Sequence, residues 1–196
     1  MRSKKWLDRQ KNDFFVNEAK KKGYVSRSAF KLLEINNKFK ILSNSKHVLD
    51  LGSSPGSWSQ IICNINKNVK IDAFDILDMK YNNSKIKFYK KNILEFNFKI
   101  LKSKYDLILS DIAPNSIGHK YTDHLRIVAI IEEVINIVNN NLQINGNFVF
   151  KIWYGSQYQN IIKKLKKRFR NIYNFKPKSS RKESSEIYII AKDFFN

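Results

Sequence analysis

VLDLGSSPGSWSQII, residues 48–62, runs from an apolar strand into an amphipathic helix through a turn that holds two glycines. Val48, Leu49 and Leu51 lead into Gly52, and Trp58, Ile61 and Ile62 then recur at helical spacing. A strand that turns straight into a helix is the repeating unit of parallel α/β sheets. In such sheets a ligand sits at the carboxyl ends of the strands, where the strand order reverses. The turn Gly52-Ser53-Ser54-Pro55-Gly56 departs from the G-x-G-x-x-G pattern that cradles a pyrophosphate. Its spacing is G-x-x-x-G, and Pro55 deletes one of the N–H groups a phosphate would use.

A ligand without phosphates suits this turn better, and S-adenosylmethionine, adenosine carrying a sulfonium amino acid, is one. Gly52 and Gly56 let the backbone approach such a ligand, although a tight connection also calls for glycine. Asp75 ends the next strand about twenty residues on, where a carboxylate accepts hydrogen bonds from ribose hydroxyls. Asp72 and Asp78 stand close by, so an acid here is not distinctive by itself.

Outward from the turn, apolar runs alternate with helical ones. Strands are expected at 47–52, 69–76, 86–89, 105–112 and 146–153, and helices at 26–39, 57–65, 124–142 and 158–170. NIYNFK and EIYIIAKDF close the chain as two strands with no helix between them. This pattern specifies an α/β fold with a doubly wound, mostly parallel sheet and an antiparallel hairpin at one edge. No linker or repeat divides the 196 residues, so 1–196 reads as a single domain, with residues 1–25 as a basic N-terminal arm or helix.

The chain carries 37 Lys and Arg against 17 Asp and Glu, a formal charge of +20, which points to a polyanionic partner such as nucleic acid. Lys, Asn and Ile abound, so coding bias shares in that charge. Cys63 is the only cysteine, and its SQIICNI setting suits a buried small hydrophobe. His47, His119 and His124 are scattered, so no metal site is expected. Nothing has the length of a membrane span or the form of a secretory signal at 1–12. The expectation is an intracellular, reducing compartment, with mitochondrion, nucleolus and cytoplasm undivided.

Two polar residues stand where the pattern calls for apolar ones. Asp111 ends the run YDLILSDI and precedes Ala-Pro-Asn, which forces a turn into the crevice. Lys151 interrupts FVFKIW, and lysines inside such strands are rare. Lys31 in AFKLLE and Glu186 in SSEIYIIA are unremarkable alone.

SRSAFKL, DLGSSPGSWSQ, SDIAPN, FVFKI and SSRKESSEIYIIA occur in this order. Together they resemble the FtsJ/RrmJ family of RNA ribose 2′-O-methyltransferases, over about Ser3 to Lys192. The resemblance implies a Rossmann-like methyltransferase sheet of seven strands, the last antiparallel, with helices on both faces. It implies a catalytic set of Lys31, Asp111, Lys151 and Glu186, with Lys151 as general base. It implies S-adenosylmethionine contacts at Gly56, Trp58, Asp75 and Asp111, which join Gly52, Ser54 and Pro55 of the turn. Where the family often has an aspartate against adenine, this chain has Asn92, and a weakened or altered contact follows.

Basic residues expected to meet RNA phosphates are Lys4, Lys5, Arg27, Lys163, Lys164, Lys167, Arg168, Lys178 and Arg181. The stretch 163–182 holds ten basic residues and no acid, and 1–40 holds twelve against four acids. Both are expected to flank the crevice, with Trp6, Tyr24 and Trp153 as candidate stacking platforms. The short chain, Trp6-Leu7 and SSRKESSEIYIIA resemble the branch that acts on large-subunit ribosomal RNA. The implied reaction is methyl transfer to a ribose 2′-OH, most specifically of a uridine there, by a monomer with no membrane attachment. Transfer RNA anticodon loops and messenger caps stay open as substrates. A non-catalytic ribosome-assembly factor is the alternative of another class, although a mere binder needs no lysine inside a strand.

Overall fold

The computed structural model describes residues 13–101, 104–113, 120–153, 158–181 and 183–195, without the side chains of 120–125 and 127. Strand β1 (His47–Leu51) lies inside a seven-stranded sheet, between two other strands. It is buried from Val48 to Leu51 because both its faces are covered, which explains the continuous apolar run. Around it stand β2 (Lys70–Asp75), β3 (Ile86–Lys90), β4 (Tyr105–Ser110), β5 (Leu142–Trp153), β6 (Phe169–Phe175) and β7 (Glu186–Phe194). The order is β3-β2-β1-β4-β5-β7-β6. β1 to β5 run parallel, and β7 enters antiparallel between β5 and β6.

The helices are α1 (Phe14–Lys21), α2 (Ser28–Phe39), α3 (Ser57–Ile65), α4 (Lys120–Asn141) and α5 (Tyr158–Lys166). Side chains alternate along each strand, so one sheet face meets α2 and α3 through Val48, Ile71, Leu109 and Ile190. The other meets α4 and α5 through Leu49, Ile108, Phe148 and Ile189. Cys63 is buried in the first layer, as its setting suggested.

Several boundaries differ from the sequence reading, α4 for example beginning at Lys120 instead of 124, and two of the differences have a visible cause. The basic helix stops at Lys166 instead of 170, because Phe169 is buried against Phe148 and Phe194 as the first residue of β6. β5 begins at Leu142, not 146: Leu142 pairs with Tyr105, and the register then slips before Leu107 meets Asn147. Residues 13–25 do not form a free arm. Phe15 and Tyr24 pack on Phe30 of α2, and Ala19 is buried. Residues 1–12 lie outside the described residues.

Candidate active site

The carboxyl ends of β1, β4 and β5 open toward the first turn of α2 and the first residues of β7. Ser26 Oγ accepts the amide of Ser28, where α2 begins. Ser28 and Lys31 are three apart and share a helix face. Glu186 and Tyr188 are two apart on β7 and share a sheet face. Register sets Tyr188 opposite Lys151 and Glu186 opposite Trp153. Asp111 follows the last residue of β4, and its amide donates to Leu51 O.

These placements close one network. Lys151 Nζ donates to Asp111 Oδ1 at 2.9 Å and to the Asp111 carbonyl at 2.7 Å. Tyr188 Oη donates to Asp111 Oδ1 at 2.7 Å, and Ser28 Oγ to Oδ2 at 2.9 Å. Lys31 Nζ meets Glu186 Oε1 at 2.6 Å and lies 5.6 Å from the Tyr188 ring centre. Lys151 is 8% exposed, so the pair with Asp111 is shielded from water. Burial pushes the Asp111 carboxyl up, but the Lys151 and Lys31 charges and the Tyr188 and Lys151 hydrogen bonds outweigh it and hold it below the usual range. Burial, then the Asp111 and Glu186 charges, hold the Tyr188 phenol well above its ordinary value, so it stays a donor.

Lys31, Asp111, Lys151 and Glu186 are thus brought together, and two hollows border the set. One is a cleft of about 270 Å³ lined by Gly52, Ser54, Asp75, Asn92 and Asp111 and walled by Phe74, Ile76, Leu77, Ile93, Ile112 and Ile130. The other, of about 400 Å³, lies among Arg27, Ser28, Lys31, Arg181, Glu183, Ser184 and Glu186. Asp111 faces the first; Lys31 and Glu186 face the second.

The glycine turn is built differently from the expectation. Gly52 has φ +77°, and a Cβ there would lie 2.7 Å from Ile112 Cγ1 and 2.9 Å from Ile112 N. Gly56 has φ +107°, and a Cβ would lie 2.7 Å from Tyr81 Cβ. Both glycines therefore admit other parts of the same chain. Asp75 Oδ2 accepts the Ser54 amide and Oδ1 the Leu77 amide, each at 2.8 Å, so this carboxylate fixes the turn. Pro55 O receives the amides of Lys80 and Tyr81, and the Ser54–Pro55 peptide is cis. Trp58 is buried: its indole N–H donates to Ser28 O at 3.0 Å, and its ring centre lies 5.8 Å from that of Tyr188. Pro55, Gly56 and Trp58 do not line the cleft; Trp58 braces Ser28 and Tyr188 from behind. Asn92 does line it, with Nδ2 donating to Glu95 Oε1 and Oδ1 accepting from Leu94 N.

The basic residues divide. Arg27 and Arg181 line the larger hollow and share Asp13 Oδ2. Burial, then the Arg181 charge, lower the Arg27 guanidinium from its ordinary value. Glu34 of α2 accepts the amides of Lys178 and Ser179, which ties the β6–β7 connection to that helix. Lys163 and Lys164 lie in the last turn of α5, and Lys164 pairs with Glu132 at 3.0 Å. Lys167 and Arg168 enter β6, whose Phe169 pairs with Phe194, the end of β7 remote from Glu186. The run 163–182 therefore does not gather beside the crevice: strand direction carries its first half to the other end of the sheet. Lys4, Lys5 and Trp6 lie outside the described residues. Tyr24 is spent on Phe30, and Trp153 holds Lys151 Nζ 5.6 Å from its ring centre.

Sequence reasoning missed Ser28, Tyr188 and Glu34. The signal was spacing alone: Ser28 and Glu34 stand three residues either side of Lys31, and Tyr188 two beyond Glu186.

Comparison with known proteins bears on the fold first. The N-methyltransferase NodS from Bradyrhizobium japonicum, solved with S-adenosyl-L-homocysteine, superposes with a TM-score of 0.58 at 12% identity, over 94% of this chain and 90% of that one. The sheet is that of the Rossmann-like methyltransferases. A ribosomal RNA methyltransferase from Plasmodium falciparum superposes with a TM-score of 0.75 at 33% identity, over 87% of this chain and 98% of that one. The chain belongs to the FtsJ-like methyltransferase family, whose model matches residues 24–194, and it is a methyltransferase. Relatives named ribosomal RNA large subunit methyltransferase E are 41% identical in a Wolbachia of Brugia malayi, over 99% of this chain and 90% of that protein. The one from Rickettsia bellii is 40% identical, over 96% and 88%.

Proposed function

We propose that this chain transfers a methyl group from S-adenosylmethionine to a ribose 2′-hydroxyl of RNA, acting as a monomer on a uridine of large-subunit ribosomal RNA. The observation that carries the reading is Lys151 Nζ, held 2.9 Å from Oδ1 of Asp111, which lines the smaller hollow and accepts on Oδ2 from Ser28 of the larger one.

The smaller cleft fits the cofactor. Its aliphatic walls suit a planar base, and Ile76 and Leu77 are 57% and 60% exposed. Asp75 sits at its mouth with both oxygens already aligned by backbone amides, each with a lone pair left for a ribose hydroxyl. Ser53 Oγ, buried in the turn, has no partner among the described residues. Bound there, S-adenosylmethionine supplies a methyl carbon made electrophilic by its sulfonium.

The protein supplies alignment and a path for the proton. Ribose enters the larger hollow, where Arg27 and Arg181 hold its phosphates. With the cofactor bound, a ribose 2′-hydroxyl beside its methyl group would be the acceptor, and Lys151 Nζ would take up the hydroxyl proton. Asp111, already fixed by Tyr188 and Ser28, would face the charge on Lys151, so no dipole has to reorient. Glu186 holds Lys31 beside them. The relatives are named for large-subunit ribosomal RNA, which supports the choice of RNA.

Large-subunit RNA lacking its ribose methyl groups, incubated with protein and cofactor, tests the reading. The expected product resists alkaline cleavage at one uridine, because its 2′-oxygen is blocked. Label released by alkali on a base, or incorporated only into transfer RNA, would overturn it.

A further inference from the structure

The sheet end opposite the tetrad repeats one feature. Lys46, Lys85, Lys104 and Arg168 immediately precede β1, β3, β4 and β6, and Lys70 is the first residue of β2. Each parallel strand except β5 is thus entered from a cation. Register makes the spacing explicit: His47 stands beside Lys70, and Ile71 beside Ile86, which follows Lys85. Neighbouring strands lie about 4.8 Å apart, so His47, Lys70 and Lys85 fall in a row about 10 Å long.

They surround a hollow of about 300 Å³ that also takes in Lys87 and the Asp72–Tyr105 pair. The acids at this end are already committed. Asp72 accepts the Tyr105 hydroxyl at 2.7 Å, Asp106 the amides of Lys46 and His47, and Asp193 the amide of Asn171. Among the described residues no ion pair reaches Lys46, Lys70, Lys85, Lys104 or Arg168. By contrast, Lys31, Lys151, Arg27 and Arg181 at the catalytic end all have carboxylate partners. Like charges on adjacent strands repel, so an unneutralised row costs stability unless an anion spans it.

We infer that this rim is a second RNA-binding surface: the hollow among His47, Lys70 and Lys85 takes a backbone phosphate of the substrate far from the methylated ribose. Phosphodiesters suit it because several cations on a regular spacing, with no aromatic platform exposed among them, bind a chain of phosphates without reading bases. The inference rests on the proposed RNA substrate. A strand of five or six residues separates the two ends by about 17–20 Å, so only an extended RNA reaches both.

The test compares anisotropy binding of two RNAs to the full chain: a long structured fragment of large-subunit RNA and an oligonucleotide of about ten residues. Lys70→Gln with Lys85→Gln should weaken the long RNA about tenfold and reduce the magnitude of its salt slope by about 1.5, leaving the short one and its methylation unchanged. Lys80→Gln with Lys90→Gln, an equal loss of charge at the carboxyl ends of β2 and β3, should not separate the two RNAs. Unchanged long-RNA binding in the first variant, or the same length dependence in the second, overturns the site. Tight binding of the short RNA with no gain for the long one overturns this surface alone; a wild-type chain that binds neither overturns the RNA substrate as well.

Discussion

Asp111 is the residue on which the site turns, since three side chains donate to its carboxylate and Lys151 also reaches its carbonyl. Lys151→Ala should abolish methyl transfer while cofactor binding survives; calorimetry that shows no cofactor binding, or tritium transfer near normal, would contradict the assignment. Tyr188→Phe keeps the ring under Lys31 but removes one donor, and a charged hydrogen bond is worth about 1.5–3 kcal/mol. We expect turnover to fall about tenfold at unchanged cofactor affinity; full turnover would reduce Tyr188 to packing. Asp50 behaves oppositely to Asp111. Burial pushes its carboxyl up to about 7, against the Ser59 hydrogen bond, and the Asp111 and Asp75 charges add to the rise. The folded chain therefore keeps a proton that the unfolded chain releases near pH 4, and the Asp50 contribution to stability falls by about 4 kcal/mol as pH rises from about 4 to 7. Asp50→Asn removes that slope, so its melting temperature should gain on wild type between about pH 5 and pH 8; a parallel curve would refute the linkage. Asp111 and Lys151 were legible in the sequence because each breaks an apolar strand. Tyr188 was not, since a tyrosine in EIYIIA fits a strand with or without a task.

The elements transmit these positions. α2 alone carries Arg27 at its threshold, then Ser28, Lys31 and Glu34, and so sets the β6–β7 connection, Asp111 and Glu186 at once. The turn after β1 touches the exit of β4 where Gly52 faces Ile112. Gly52→Ala adds a Cβ that overlaps Ile112 backbone at a φ disfavoured for alanine. Urea unfolding should show a loss of at least about 2 kcal/mol, and an unperturbed midpoint would deny the close approach. Strands and helices were readable from alternation and helical spacing wherever an element is buried on one side or both. The end of α5 was not: the basic run 163–170 has helix-forming lysines throughout, and only the burial of Phe169 in tertiary structure ends the helix. The two glycines were recognised, but sequence gave no sign that Ile112 and Tyr81 are what they admit.

At the scale of the molecule, a charge of +20 is spread over both ends of one sheet. Affinity for RNA should therefore fall at least tenfold between about 50 and 200 mM salt; a flat response would argue against phosphate contacts. Sequence order suggested one basic crevice, because neighbours in the chain were read as neighbours in space. A strand about 20 Å long is enough to undo that. The order of the strands has one more consequence, for how the protein is made. Lys31 and its partner Glu186 are separated by most of the chain, and β7 slots between two strands already synthesised. Domains fold as the ribosome delivers them, amino end first. The nascent chain thus carries its glycine turn, Asp111 and Lys151 well before it carries Glu186 or Tyr188. On the proposed reading, a chain that breaks off before β7 should be silent in methyl transfer, whatever else of it has folded.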